Sequence, residues 1–367
     1  MRHVTIIAEI GTSHGGDLEK AKELVLAAKE AGADCAKLQM VFADEIVHPL
    51  TGDVQLPGGA VPLFERFKSL EAPPEFYAAV KTYCESIGIE FLCSAFGVRS
   101  ARILKSLGVG RMKIASPELN HVPLLREVAR FNMPVILSTG VSTLGDIENA
   151  IAIVGVNRAL LLHCITAYPA PDEQYNITLI PRLAGIFGVP VGVSDHSLDP
   201  VLVPSLSVVN GAVIIEKHFT LSRADGGLDD PIAQEPTQFA RMCATVRRIE
   251  QIVAIDPTNG PDKVIKEFAE EFGAERIESI LGTGVKSLAA AESPNYLTTN
   301  RSIHALRTIE KGAVIRAEDI AILRSEKKLR PGIRPEFFDV IVGRTATRDI
   351  PNGEGITFDD VTSRVSE

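Results

Sequence analysis

The chain contains no tryptophan, and aromatic residues make up only 5% of it. A surface that stacks nucleobases needs such rings, so nothing here favours single-stranded nucleic acid. A basic excess is also missing. Lys and Arg number 38 against 47 Asp and Glu, for a net charge of −9, which leaves no basic face for a phosphate backbone. Cysteine is sparse and odd in number. Cys35, Cys84, Cys93, Cys164 and Cys243 form no CxxC pair and lie in apolar strand-like or helical contexts. They read as reduced, mostly buried thiols of a cytosolic protein. No local context suggests a lowered thiol pKa, which argues against a catalytic cysteine. No apolar run is long enough to span a membrane. The opening MRHVTIIAEIG turns polar too soon for a signal peptide.

What is present is a globular composition, 45% apolar and 23% charged over 367 residues. That length suits a large domain plus a small one. From residue 4, short β-branched runs alternate with longer helical ones. Strands are predicted at 4–10, 35–40, 89–96, 111–116, 134–140, 158–164, 189–195 and 212–218. Helical patterns fill 17–31, 74–87, 98–107, 122–131, 143–154, 175–187, 199–209 and 236–253. Gly32, Gly88, Gly108 and Gly188 each stop a helix just before a strand. Eight strand–helix units over about 250 residues is the arithmetic of a (β/α)8 TIM barrel. An open doubly wound sheet is the alternative. The barrel is favoured because polar residues end every strand.

After residue 253 the texture changes. Residues 254–297 are polar with helical fragments and read as a linker. Residues 298–367 contain short strands separated by Lys311-Gly312 and Asn352-Gly353 turns, which predicts a small β-rich domain.

The strand ends carry the chemistry. Residues two apart share a face of a strand. Glu9 ends the first strand. Lys37 and Gln39 face together in the second, and Ser94 ends the third. Lys113, then Ser116 and Glu118, follow the fourth. The fifth closes in Ser138-Thr139-Gly140, and the sixth in His163-Cys164 followed by Thr166 and Tyr168. Ser194 and His196 end the seventh, and Glu216 and His218 the eighth. Parallel strands bring these ends to the carboxyl rim, where α/β proteins build active sites. His196 and His218, on consecutive strands, are candidates to hold one divalent metal with open positions left for water and substrate. The plainer reading makes each a satisfied strand-end histidine. A lysine inside a strand must be paired or bind an anion. Glu9 and Lys37 are placed to pair, whereas Lys113 has no obvious partner. Two lysines with several hydroxyls suit a phosphate and a carboxylate on one small molecule.

These residues stand in motifs that together resemble the N-acetylneuraminate (sialic acid) synthase family. The motifs are AEIG…HGG (8–16), AGAD-x-x-KLQ (31–39), KIAS-x-E (113–118), ILSTG (136–140), LLHC-x-x-AYP-x-P (161–171), G-x-SDH (192–196) and IEKHFTL (215–221). The NRSIHA stretch from residue 300 resembles the antifreeze-like SAF domain that this family carries. The resemblance implies a TIM barrel joined to that domain. It implies condensation of phosphoenolpyruvate with an acetamido-hexose such as N-acetylmannosamine, giving a nine-carbon 2-keto acid and phosphate with a divalent metal (Mn2+, Mg2+ or similar). Relatives with the same chemistry make legionaminic or pseudaminic acid from 2,4-diacetamido sugars.

By motif match, His196 and His218 would hold the metal. Lys37, Lys113, Ser116, Ser138 and Ser194 would grip phosphoenolpyruvate, with Ser94 nearby. Glu118 would act on the water that adds at carbon 2. Glu9, Gln39, Thr166, Tyr168, Glu216 and Asp229 would line the site or bind sugar. The resemblance also implies a homodimer in which the small domain covers the partner's barrel, so that Arg301 reaches a sugar in trans. Against this enzyme stand a metal-dependent aldolase, which leaves Lys37 and Lys113 without a purpose, and a non-catalytic carbohydrate-binding protein. A binding scaffold has no need of so many buried ionisable strand ends.

Overall fold

The computed structural model describes residues 3–56 and 59–362, so residues 363–367 of the expected small domain lie outside the described part. Eight parallel strands close into a barrel. They are β1 (Thr5–Gly11), β2 (Cys35–Met40), β3 (Glu90–Ala95), β4 (Met112–Ile114), β5 (Val135–Ser138), β6 (Ala159–Cys164), β7 (Val191–Asp195) and β8 (Ile214–His218). Each pairs with its neighbours in chain order, and β1 pairs with both β2 and β8 to shut the ring. Every strand named from the sequence is present, and the open-sheet alternative falls away.

The barrel helices are α1 (Leu18–Glu30), α2 (Pro74–Ile87), α3 (Val98–Ser106), α4 (Val122–Arg130), α5 (Leu144–Val154), α6 (Leu179–Phe187), α7 (Leu202–Val209) and α8 (Pro236–Ile255). Local chemistry starts and stops them. Asp17 caps α1 through the amides of Glu19 and Lys20, and Thr143 forms a capping box with Asp146 ahead of α5. Gly88 ends α2 at φ 72°, a conformation that side chains resist. The buried faces of these helices share one apolar core with the outward faces of the strands.

Inside the barrel the period of two is kept strand by strand. Ile7, Cys35, Leu92, Ile136, Leu162 and Ile214 form an apolar inner layer. Two residues further along the same strands come Glu9, Lys37, Ser94, Ser138, Cys164 and Glu216. Polar groups therefore sit directly on an apolar floor at the carboxyl end. β7 contributes only Gly192 to the floor, because a methyl group there would meet the Ile214 carbonyl at 2.3 Å.

The stretch read as a linker is largely structured. It holds α9 (Gly260–Phe272) and α10 (Ala274–Leu281). Val264 and Phe268, four apart, and Ile277 and Ile280, three apart, turn inward and join the barrel core. Charged residues on the outer faces hid this amphipathic pattern. Residues 282–300 then run along the loops after β5 and β6, where Lys286 donates to the Thr139 carbonyl and the Ala291 amide to the Gln174 side chain.

The small domain pairs β9 (Arg301–Ala305) with β10 (Ile320–Arg324), antiparallel, with Arg301 opposite Arg324. Its core is rich in isoleucine, including Ile303, Ile315, Ile350 and Ile356. It docks on the segment after β2 of its own chain. Val47 bridges to Arg324, and the Thr51 hydroxyl donates to the Ser325 carbonyl at 2.9 Å. Gly353 passes so close to His48 that a methyl group would meet its ring at 2.9 Å. Among the described residues, no helix is long and apolar enough to cross a membrane.

Candidate active site

Above the apolar floor lies a cleft of about 380 Å3, counting the space open to solvent. Its wall holds Glu9, Lys37, Gln39, Ser94, Lys113, Ser116, Ser138, Tyr168, Ser194, His196, Glu216 and His218, all named from the sequence. Four candidates lie outside this wall: Glu118, Thr166, Asp229 and Arg301. Cys164 lines the cleft as well, with its sulfur 3.9 Å from Nδ1 of His196. Its place follows from alternation, two residues beyond Leu162 of the floor.

The lower tier is a closed charge cluster. Lys37 Nζ lies 2.7 Å from a Glu9 oxygen and 3.6 Å from Glu216. Lys113 Nζ lies 3.4 Å from Glu216 and donates to the Ser138 hydroxyl at 2.8 Å. The lysine expected to be partnerless therefore has a partner, across the barrel rather than on a neighbouring strand. Burial disfavours the charge on Lys37, but the Glu216 and Glu9 carboxylates outweigh it and hold its pKa above the usual lysine value. Burial wins at Lys113 and pulls it down, despite Glu216. Burial would raise Glu216, yet Lys113 and Lys37 bring it to about 2. Two cations and two carboxylates balance, and hydroxyls complete the tier. Lys37 donates to Ser94 at 3.1 Å, and Ser194 to Glu216 at 2.9 Å.

The upper tier carries Gln39, His196 and His218. Gln39 donates to Glu9 at 2.7 Å, which keeps that carboxylate in place. The two imidazoles face each other with ring centroids 5.3 Å apart. Tyr168 stacks on His196 at 4.4 Å and meets His218 edge-on at 6.0 Å. Nδ1 of His196 lies 2.8 Å from the Ile165 carbonyl, so in the neutral ring the proton belongs on Nδ1 and the lone pair on Nε2. Burial, with His196 and Lys37 nearby, holds His218 well below the usual imidazole range. Burial pulls His196 down, but Cys164, the Ile165 carbonyl and Asp195 outweigh it and raise its pKa to about 9. His218 is therefore the ring already neutral, whereas His196 must give up the proton on Nε2 to serve as a metal donor. Among the described residues, no third His, Cys, Asp or Glu joins them in a cluster able to hold a metal. An oxygen of Asp229 lies 3.8 Å from His218.

On the outward side of β7 and β8, Lys217 and Asp195 form a buried ion pair at 2.6 Å, and Lys217 also donates to the carbonyls of Ser197 and Asp199. Each is the chain neighbour of a histidine, and together they tie the ends of β7 and β8. His163 is different. Its Nε2 bonds to the Tyr175 carbonyl, away from the cleft, as an odd position on β6 requires. It is not a third imidazole at the mouth.

Glu118 and Arg301 meet each other instead of the cleft. One Glu118 oxygen accepts from Arg301 and from Arg324, each at 2.7 Å. The other oxygen is buried and has no partner among the described residues. Arg301 is fully buried and also donates to the carbonyls of Phe96, Ile46 and Ile322. Its donors are occupied within its own chain, which differs from an arginine reaching a sugar across a dimer. Arg324 carried no sequence signal of its own. Only the pairing of β9 with β10 sets it beside Arg301.

Gly140 shows how tightly the cleft is built around Ser116. Its amide donates to the Ser116 hydroxyl at 3.0 Å. A methyl group there would meet Thr166 Oγ1 at 2.1 Å and Ser116 Oγ at 2.9 Å. Gly140→Ala is expected to cost about 1–3 kcal/mol by overpacking. A thermal-unfolding comparison with the unchanged chain checks this, and an equal Tm would show that the loops yield freely.

Comparison with known proteins places this architecture. The model of the NeuB family matches residues 24–255, and that of the SAF domain residues 300–362. Spore coat polysaccharide biosynthesis protein SpsE of Bacillus subtilis is 36% identical, over 98% of this chain and 93% of its own. A crystal structure of SpsE from that organism covers 99% of this chain and 96% of its own at a TM-score of 0.80 and 34% identity. The N,N'-diacetyllegionaminic acid synthase of Legionella pneumophila is 34% identical, over 97% of this chain and 94% of its own. The N-acetylneuraminic acid (sialic acid) synthetase of Leptospira borgpetersenii, solved with citrate, covers 74% of this chain and 92% of its own at a TM-score of 0.64 and 30% identity. With a strand-end cleft of this make-up and a small domain over its barrel, the chain belongs to the NeuB family and carries a SAF domain.

Proposed function

We propose that the chain is a nonulosonic acid synthase. It condenses phosphoenolpyruvate with an acetamido-hexose and water to give a nine-carbon 2-keto sugar acid and phosphate. Family membership supports the class. The observation that carries the site assignment is the two-tier cleft, with lysines and hydroxyls below and two imidazoles above.

Lys37, Lys113, Ser94, Ser116, Ser138 and Ser194 bind the phosphate and carboxylate of phosphoenolpyruvate. Glu9 and Glu216 already balance the lysines, so the anion enters a tier whose charges sum to zero. A cation held above it by His196 and His218 complements that load. When bound, a divalent metal such as Mn2+ or Mg2+ supplies Lewis-acid polarisation of the sugar aldehyde. Carbon 3 of phosphoenolpyruvate forms the new bond to the aldehyde carbon. Water adds at carbon 2, and phosphate departs with the bridging oxygen. Glu118 is buried outside the cleft wall but adjoins Pro117 of that wall. Its oxygen left without a partner among the described residues is the group proposed to act on that water, while Arg301 and Arg324 fix the other. Gln39, Tyr168, Glu9 and Asp229 face or flank the sugar. N-acetylmannosamine is the aldose proposed first, with 2,4-diacetamido-trideoxy hexoses as the alternative. Exchange of the small domain between two copies would make the same Arg301–Glu118 contact from the neighbouring subunit.

The test is phosphate release from phosphoenolpyruvate with Mn2+ or Mg2+, across N-acetylmannosamine, its 6-phosphate and 2,4-diacetamido hexoses. Release is expected with one aldose and should vanish with chelator. Release that ignores chelation would remove the metal, and none with any aldose would reject the synthase for a carbohydrate-binding role.

A further inference from the structure

We infer that Glu292, in the segment joining the two domains, is a positioning residue for the phosphoenolpyruvate end of the cleft. The inference rests on the reading of that cleft given above. Glu292 is 1% exposed, although it lies in a polar connecting segment. One of its carboxylate oxygens accepts two backbone amides, from Val141 at 3.0 Å and from Thr166 at 2.9 Å. These amides belong to different loops. The first follows Ser138-Thr139-Gly140 at the end of β5, and the second follows Cys164 at the end of β6. A single buried carboxylate therefore ties the two loops together from behind.

The backbone at Val141 explains why a tie is required. Val141 has φ 41°, in the left-handed region, and it is β-branched. Such a residue stays there only when its surroundings over-determine it. Here the connecting segment grips both sides of the residue. Glu292 takes its N–H, and the Asn300 side chain donates to its carbonyl at 2.8 Å. The turn at Val141 aims the preceding residues at the cleft. Gly140 donates to the Ser116 hydroxyl, and Ser138 accepts from Lys113. Gly140, Ser116 and Thr166 already touch with no space for a methyl group. A shift of either loop would therefore move two hydroxyls and one lysine contact together. On the aldose side Gln39 is held by Glu9 on another strand, and Tyr168, although two residues beyond Thr166 in the same loop, has its ring held separately by stacking on His196 at 4.4 Å. Loss of Glu292 should weaken phosphoenolpyruvate selectively.

The experiment uses the full chain loaded with Mn2+ and an aldose that the unchanged protein turns over. Glu292→Ala is expected to raise the KM for phosphoenolpyruvate at least about tenfold, with the KM for aldose within about twofold. Glu292→Gln keeps an oxygen that can accept both amides. It should restore phosphoenolpyruvate KM to within about threefold. Hydrogen exchange should quicken at Val141 and Thr166 in Glu292→Ala and remain slow in Glu292→Gln. This readout holds even if Glu292→Ala is too unstable for kinetics. Parallel rises in both KM values, or unchanged phosphoenolpyruvate KM and exchange, would overturn the positioning role. Failure of the unchanged protein to bind phosphoenolpyruvate by calorimetry would reject the functional reading itself, whatever the two amides do.

Discussion

Replacing His218 by alanine should abolish metal-dependent phosphate release while leaving the fold intact. The expected loss is at least about a thousandfold, since the Lewis-acid contribution of a bound metal amounts to several kcal/mol. The fold should survive because the backbone of His218 keeps its bonds. Its carbonyl accepts from Gln234 at 2.8 Å, and the next amide, of Phe219, donates to the Glu9 carbonyl at 2.8 Å. His218 is 6% exposed at the cleft wall, so the lost ring leaves space open to solvent rather than a sealed cavity. Phosphate release at saturating Mn2+, Mn2+ binding by calorimetry and thermal unfolding should be measured together. Full turnover in the variant would remove His218 from the metal assignment. Lost turnover with Mn2+ affinity unchanged would make it a substrate contact instead.

Arg301→Ala should be the most damaging change in the small domain. The guanidinium is fully buried, and its removal strands the Glu118 carboxylate and several backbone carbonyls. Breaking a buried pair by deleting one partner costs about 3–5 kcal/mol. Arg324 keeps its own bond to Glu118 and softens the loss. The small domain is expected to loosen from the mouth, and turnover to fall by about a hundredfold. Arg301→Lys should not rescue, because an ammonium cannot reproduce the planar fork that reaches Glu118 and Phe96 together. Full turnover and an unchanged Tm in Arg301→Ala would show that the contact is incidental. The point of truncation matters for any test of the isolated barrel. A cut after residue 255 removes Val264, Phe268, Ile277 and Ile280 from the core, and so probes folding. A cut after residue 299 keeps them, together with Glu292.

Much of the active site is local in the chain, and that part was legible. Each strand announces itself by β-branched residues. The period of two then sets Glu9 above Ile7, Lys37 above Cys35, Ser138 above Ile136 and Glu216 above Ile214. The same rule sends His163 outward to the Tyr175 carbonyl and Cys164 inward to the cleft. The segment 254–297 was harder. Val264/Phe268 and Ile277/Ile280 are short apolar pairs in a highly charged stretch, too few to outweigh its composition.

Barrel closure decided the rest. Lys113 and Glu216 lie on strands that are not neighbours, and only the tilt and diameter of the closed ring bring them within 3.4 Å. Glu118 and Arg301 stand 183 residues apart, and no periodic signal connects them. The same holds for the two amides gathered by Glu292. By itself the sequence determined which residues point into the mouth of the barrel, because side-chain direction follows from backbone periodicity. Which charges neutralise one another there, and which loops the connecting segment ties down, only the tertiary structure decided, because those contacts depend on distances set when the ring closes and the small domain docks.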